Sequence, residues 1–384
     1  MSLPSEKYQR LMKTARLCAA ACGADVADPN YHVNFITVCV MFCITVYFIF
    51  SAYTVQLKFS ENWGVLLESF CMVGSVIQGI SKLFTGIGYT KTLAFTNNEL
   101  QTIYKQYEIK NKYCIRVLNK CVSKVSLLLR TISISHVFIF IWLFFAPLFM
   151  YLITGRRYML MQFYLPGLDV ETDFGYFTTL GMQGACLVFG GFGNFAGDLF
   201  FVINSTHVIL FADILKIKIR EFNDITETEE LGSKKSEELL NDIIEWHQHY
   251  SQYAKTTNTV FYWMTFVEIG TTSLSIVLTL FIMLTGDWPG AYSYLFLEFI
   301  MLYVYCGIGT LVELTNDKFC DEIYSIHWYK LAVPQQKCVL LMLMKSQDPE
   351  LITVGGVMPL SVNTALQVTK SVYSIMMMIL NFIE

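Results

Sequence analysis

Long apolar runs organise the chain. Six approach the length of about 20 residues that an α-helix needs to cross a bilayer. They are Phe35 to Val55, Trp63 to Phe84, Ile132 to Ile153, a small-residue-rich run from about Phe177 to Leu210, Val260 to Leu284, and Ala291 to Val312. A seventh, less uniform run covers roughly Val362 to Phe382. The pattern predicts an all-α integral membrane protein with seven transmembrane helices. Helical periodicity continues between the runs. Ile243, Trp246, Tyr250 and Tyr253 fall at spacings of three and four, and "FADILKIKIREF" carries the fourth run onward as a helix. Leu314 to Met344, with Pro334 and scattered charges, predicts a helical hairpin, and "ETEELGSKKSEE" is the one credible flexible linker. No internal repeat is visible.

Charge fixes an orientation. Of the 27 Lys and Arg residues, 23 collect on one side of the predicted bilayer. That tally counts Lys82 at the inner end of the second run. Only Lys58, Arg156 and Arg157 fall on the other side, and Lys370 lies inside the last helix. The positive-inside rule then predicts a cytoplasmic N-terminus, an extracellular C-terminus and a helical cytoplasmic anchor region. A G-protein-coupled receptor has the opposite orientation. The Asp-Arg-Tyr and Asn-Pro-x-x-Tyr motifs of such receptors are also missing from the third and seventh runs.

Composition agrees. Of 384 residues, 54% are hydrophobic and only 15% charged, with a mean hydropathy of +0.47, whereas soluble domains carry about a quarter charged residues. The surplus apolar surface must face lipid. A net charge of −4 gives no footprint for nucleic acid. The 11 cysteines lie in apolar runs or the basic segments beside them, which predicts reduced thiols. Met1 to Asn30 is too polar and mixed in charge for a signal peptide.

No constellation for catalysis appears, so no enzyme and no cofactor is expected. His247 and His249 are two residues apart, and on a helix they point to different faces. Gly193 and Gly197 in "GGFGNFAG" have the spacing of close helix packing in lipid. Asn204-Ser205-Thr206 is a glycosylation sequon on the predicted cytoplasmic side, where it would stay unused. Glu68, Glu268, Glu298 and Lys370 fall at membrane depth and must face protein or water.

The last helix is the most informative. Asn363, Gln367, Ser371, Ser374, Met378 and Asn381 share one stripe, while Val372, Ile375, Met376 and Ile379 lie elsewhere around it. Such a spanning helix either lines water or packs on polar partners. Met378, with Phe382 a turn later, would narrow a water path to a hydrophobic constriction of the kind that gates by dewetting.

Three stretches in this inverted seven-span frame match one family. "YCGIGTLVELTNDKFCDEIYSIHWYK" (Tyr305 to Lys330), "MPLSVNTALQVTKSVYS" (Met358 to Ser374) and "SIMMMILNF" (Ser374 to Phe382) resemble the sixth- and seventh-helix signatures of the insect odorant receptors. The last stretch departs from the superfamily's Thr-Tyr, five hydrophobics, Gln-Phe ending. It has Ser for Thr, Ile for Tyr and Asn for Gln, which points away from the gustatory branch and from the shared co-receptor.

The resemblance implies a ligand-tuning subunit of an odorant-gated, non-selective cation channel. The subunit would form a heterotetramer with the co-receptor in the plasma membrane of olfactory sensory neurons. Its partners would be a small volatile organic ligand, membrane lipid and permeating cations. One structural domain would comprise residues 1–313 (six helices with the odorant-binding bundle), 314–361 (the cytoplasmic helical anchor) and 362–384 (the pore-lining helix). Ser371, Ser374, Met378, Asn381 and Phe382 would form the pore and gate. Lys370 would sit at a subunit boundary or in a wide, wet vestibule. The ligand, in the outer half of the bundle, would meet Phe70, Val73 and Gly74, then His136, Phe140 and Leu143. Met182, Cys186 and Phe189, with Tyr294, Phe296 and Phe299, complete that set. A metabotropic chemoreceptor, or a small-solute transporter, is the alternative.

Overall fold

The computed structural model describes residues 3–25, 28, 31–58, 63–161, 163–228, 234–285, 288 and 290–383. The described residues form ten α-helices: α1 (Pro4–Ala21), α2 (Phe35–Lys58), α3 (Trp63–Gly88), α4 (Thr90–Tyr107), α5 (Lys112–Thr154), α6 (Asp173–Thr228), α7 (Lys234–Thr285), α8 (Ala291–Tyr324), α9 (Val333–Ser346) and α10 (Val362–Ile383).

The apolar runs mark only parts of these helices. At 1.5 Å per residue, α5, α6 and α7 are about 65, 85 and 80 Å long, against about 30 Å of bilayer hydrocarbon. Their surplus length stacks into a second layer at the basic end, closed by α1, α4 and α9. The stripe read from sequence is buried there. Ile243, Tyr250 and Tyr253 are core residues, Trp246 Nε1 donates to Phe211 O (2.9 Å), and Phe211 stacks on Tyr253 at 4.3 Å. Lys218 and Asp242 pair across α6 and α7, and Lys216 with Glu322 across α6 and α8.

Among the described residues, six helices are long and apolar enough to cross a membrane. The seventh expected span, α10, falls outside that set, because Lys370 and its polar stripe dilute its apolar content. Leu314 to Met344 is a helical hairpin as expected, with α8 running on to Tyr324, a 3₁₀ turn at Trp328–Lys330 and Pro334 in the first turn of α9. The segment between α9 and α10 is not helical throughout. Thr353–Val354 pairs antiparallel with Met358–Pro359. Gly355 and Gly356, at φ 56° and 71°, supply the two left-handed positions of the turn. Of the expected linker, only residues 229–233 separate α6 from α7, and they lie outside the described residues.

Two apolar cores result. The larger joins the basic-end layer to the inner bundle. The smaller, around Tyr47, Met72, Phe163, Trp288 and Tyr294, fills the opposite end. All 11 cysteines are free thiols.

Candidate functional site

A cavity of about 210 Å³ lies where the two cores meet. About 150 Å³ suffices to hold a benzene-sized molecule. Its wall is apolar over most of its extent. Val40 and Tyr47 come from α2, Phe140 and Leu143 from α5, Cys186 and Leu187 from α6. Part of the wall is supplied by the α5–α6 connection, which folds back over the bundle. Gln183 on α6 holds it there with a saturated carboxamide. Its Oε1 accepts from Leu160 N (3.0 Å) and Met161 N (3.2 Å), and its Nε2 donates to Met161 O (2.6 Å) and Phe163 O (2.9 Å). Tyr164 N also donates to Thr54 Oγ1 on α2 (2.8 Å). Met161 is thereby fixed as a wall residue.

The deep end of the cavity is charged. Lys82 Nζ lies 2.6 Å from Asp198 Oδ1 and 3.0 Å from Glu268 Oε2, with all three side chains at most 4% exposed. Tyr305 Oη donates to Asp198 Oδ1 (2.6 Å), and His136 Nε2 lies 3.6 Å from Oδ2. An isolated charge at membrane depth is costly, and mutual pairing is what makes these tolerable. The lysine stem reaches the cluster across Gly197, where a Cβ would stand 2.7 Å from Lys82 Cβ. Gly197 therefore packs helices closely, as its spacing from Gly193 predicts. Lys82 is a buried ion-pair partner rather than a flanking charge of the basic side. Its ammonium turns inward because two carboxylates await it there.

Glu68 and Glu298 are buried as well. His247 packs on Phe319 (5.6 Å, 12° between rings), while His249 faces Glu99 at 3.4 Å, so the two rings diverge. Asn204 is buried in α6, its Nδ2 donating to Phe200 O (2.8 Å).

Six of the twelve residues expected around a ligand line the cavity: His136, Phe140, Leu143, Cys186, Phe189 and Tyr294. The other six stand off its wall. α3 presents Met72, Ser75, Val76 and Gly79 to the cavity, so the helical advance turns Phe70, Val73 and Gly74 elsewhere. Phe70 is 52% exposed, Val73 packs in the smaller core, and Gly74 is set against Ser275 on α7. α8 presents Tyr294, Leu297, Glu298 and Met301, leaving Phe296 58% exposed and Phe299 against the larger core. Met182 packs in the smaller core. Asn194, Gln78 and Asp198 line the cavity although sequence reasoning passed over them. An Asp inside "NFAGDLFFV" was the available signal.

α10 is amphipathic with its polar side outward, the opposite of a lipid-facing helix. Ala365, Val372 and Met376 are buried in the bundle. Asn363, Gln367, Lys370, Ser371, Ser374, Met378 and Asn381 are all exposed, on the side turned away from the chain's own core. Phe382 belongs to the helix, but its side chain lies outside the described residues. The start of α10 is held by Gly309 on α8, whose missing side chain makes room for the Leu360 carbonyl.

Known proteins share this architecture. The olfactory receptor OR5 from Machilis hrabei, solved in complex with eugenol, superposes with a TM-score of 0.76 at 13% identity, covering 98% of this chain and 97% of that one. A second solved structure of OR5 gives a TM-score of 0.73 at 14% identity, covering 97% of this chain and 99% of that one. Putative odorant receptor 83c of Drosophila melanogaster is 29% identical over 98% of both chains. Odorant receptor 85b of the same fly is 24% identical over 72% of both. The family model described as 7tm odorant receptor matches residues 62–373. The chain is thus an all-α membrane protein, and it belongs to the 7tm odorant receptor family.

Proposed function

We propose that the chain is the ligand-tuning subunit of an odorant-gated, non-selective cation channel. A small volatile molecule occupies the cavity between the two cores, and α10 lines a central pore. The observation that carries this reading is the exposed polar stripe of α10, backed by a buried apolar face. A helix of 22 residues at membrane depth with one polar side needs water or polar partners along that side. Among the described residues the stripe meets no other helix of the chain: its positions are exposed, and Ser374 Oγ donates only to Lys370 O of its own helix (3.0 Å). Met378, 55% exposed on the stripe, is the gating constriction, together with Phe382.

The distribution of Lys and Arg supports a cytoplasmic N-terminus, which makes the basic-end layer of residues 314–361 and its neighbours the cytoplasmic anchor. Subunits of a heterotetramer with the co-receptor meet there. The protein acts in the plasma membrane of olfactory sensory neurons. Whole-cell recording from cells expressing the chain with the co-receptor tests the reading. Volatile-evoked cation current, absent with the co-receptor alone, is expected. A response that needs a G protein and survives pore block would overturn it in favour of metabotropic signalling.

A further inference from the structure

One polar side chain of the cavity wall, Asn194, is only half satisfied among the described residues. Asn194 Nδ2 donates to Ser75 O (3.1 Å), which fixes the orientation of the carboxamide. Its Oδ1 is buried and has no hydrogen bond among the described residues. Among the wall residues Glu268 Oε2 shares that condition, but the Lys82 ammonium stands 3.0 Å away and meets its charge. Among the described residues nothing comparable meets Asn194 Oδ1. Buried acceptors are costly to leave bare, so such an atom in a ligand cavity asks for a donor.

The wall beside it is notched. Gly79 also lines the cavity. An atom placed where Gly79 lacks a Cβ would lie 3.4 Å from Asn194 Nδ2 and 3.6 Å from Oδ1. A ligand oxygen a few tenths of an ångström closer would reach both. It could donate to Oδ1 and accept the second Nδ2 hydrogen. A hydroxyl does both, whereas an ether or ketone oxygen can only accept. Asn194 and Asp198 are one turn apart on α6, as Gly79 and Lys82 are on α3. The notch therefore opens one turn from the charged cluster, among apolar side chains.

We infer that the Gly79 notch beside the Asn194 carboxamide is a hydroxyl-recognition site, and that the ligand class is a neutral alcohol or phenol with an apolar body. The inference rests on the cavity being the odorant site. It commits to a neutral donor because the orphaned acceptor is a neutral amide. Of the nearby carboxylates, Asp198 and Glu268 are already engaged by Lys82, Tyr305 and His136.

The test uses the full chain assembled with its co-receptor. The probes are matched sets of primary alcohol, methyl ether, hydrocarbon and primary amine on straight-chain, branched and aromatic skeletons. Binding is read as ligand-induced thermal stabilisation of the purified complex, and current is read separately. Alcohols should act at concentrations at least about tenfold below those of their ethers. Asn194→Leu should remove that preference while the ether still binds, which shows that the variant is folded. Gly79→Ala, whose new methyl makes ordinary contacts, should fill the notch and cut alcohol binding about tenfold with little change for the hydrocarbon. Equal potency of alcohol and ether in the wild type overturns the inference, as does an amine that outcompetes the alcohol, or a preference that survives both variants. Alcohol-selective binding without current would overturn the channel reading and leave this inference standing. No binding of any probe would overturn both.

Discussion

Lys82→Met tests whether the buried cluster holds α3, α6 and α7 together. The substitution keeps most of the stem that lies over Gly197 and deletes the ammonium 2.6 Å from Asp198 and 3.0 Å from Glu268. Both carboxylates are then left unpaired in a site exposed by at most 4%. Removing one partner of a buried pair costs about 3–5 kcal/mol, because an uncompensated charge remains. Tyr305 and His136 still attend Asp198, which places the expected loss near about 3 kcal/mol. The assay is SDS-induced unfolding of the protein in mixed micelles, followed by tryptophan fluorescence. Lys82→Met, Asp198→Asn, Glu268→Gln and their combinations complete a mutant cycle. The triple variant, which deletes all three charges, should recover more than half of the Lys82→Met loss. Coupling of Lys82 to each carboxylate should exceed about 1 kcal/mol. Strictly additive losses, or a Lys82→Met protein as stable as wild type, would refute the idea that the three charges act as one unit.

Other expectations are equally direct. Met378→Ser should raise unstimulated current and shift the dose–response curve to lower ligand concentration; unchanged closure would count against the gate. Gly309→Val should cost about 1–3 kcal/mol and alter gating, since the added side chain meets the Leu360 carbonyl and must push α10 from α8. His247, outside the membrane-spanning run, is held down to about 4 by burial, with Lys345 nearby. The unfolded chain, with a value near 6.5, therefore takes up the proton first. The contribution of His247 is complete above about pH 6.5 and fades as pH falls toward about 4, by up to about 3 kcal/mol. The stability of wild type in that window should fall more steeply than that of His247→Phe, and parallel profiles would contradict this.

The membrane-spanning parts were readable because an apolar run of the right length has few other uses. What lay outside the runs was harder. The basic-end extensions of α5, α6 and α7 mix charge with apolar residues, and only the stripe through Ile243 and Tyr253 betrayed the packed layer. The strand pair at Thr353 and Met358 is two residues long on each side, too short for any alternation to show. Half of the expected ligand residues stand off the cavity for a related reason. A helix that is apolar all round gives no periodic clue to which side faces inward, so Phe70 and Met72 look alike in sequence while only Met72 lines the wall. α10 is the converse case. Its polar positions broke the symmetry, and the side they marked is the side the structure leaves exposed. Asp198 stands out as a charge in an apolar run, but its partners Lys82 and Tyr305 lie more than 100 residues away in sequence, so the pairing could not be read.

The unbroken length of α6 has a mechanical consequence. It carries Cys186, Asn194 and Asp198 at the cavity and continues to Thr228 without interruption. From Asp198 to its far end is about 45 Å. If the helix pivots as a rigid rod at the charged cluster, a tilt of one degree moves Thr228 by about 0.8 Å. A ligand that displaces the wall by a fraction of a bond length thus shifts the distant layer by a distance on the scale of side-chain packing. Movement of the cavity wall and movement of the basic-end layer need no chain of side-chain relays between them, because one uninterrupted helix spans the gap.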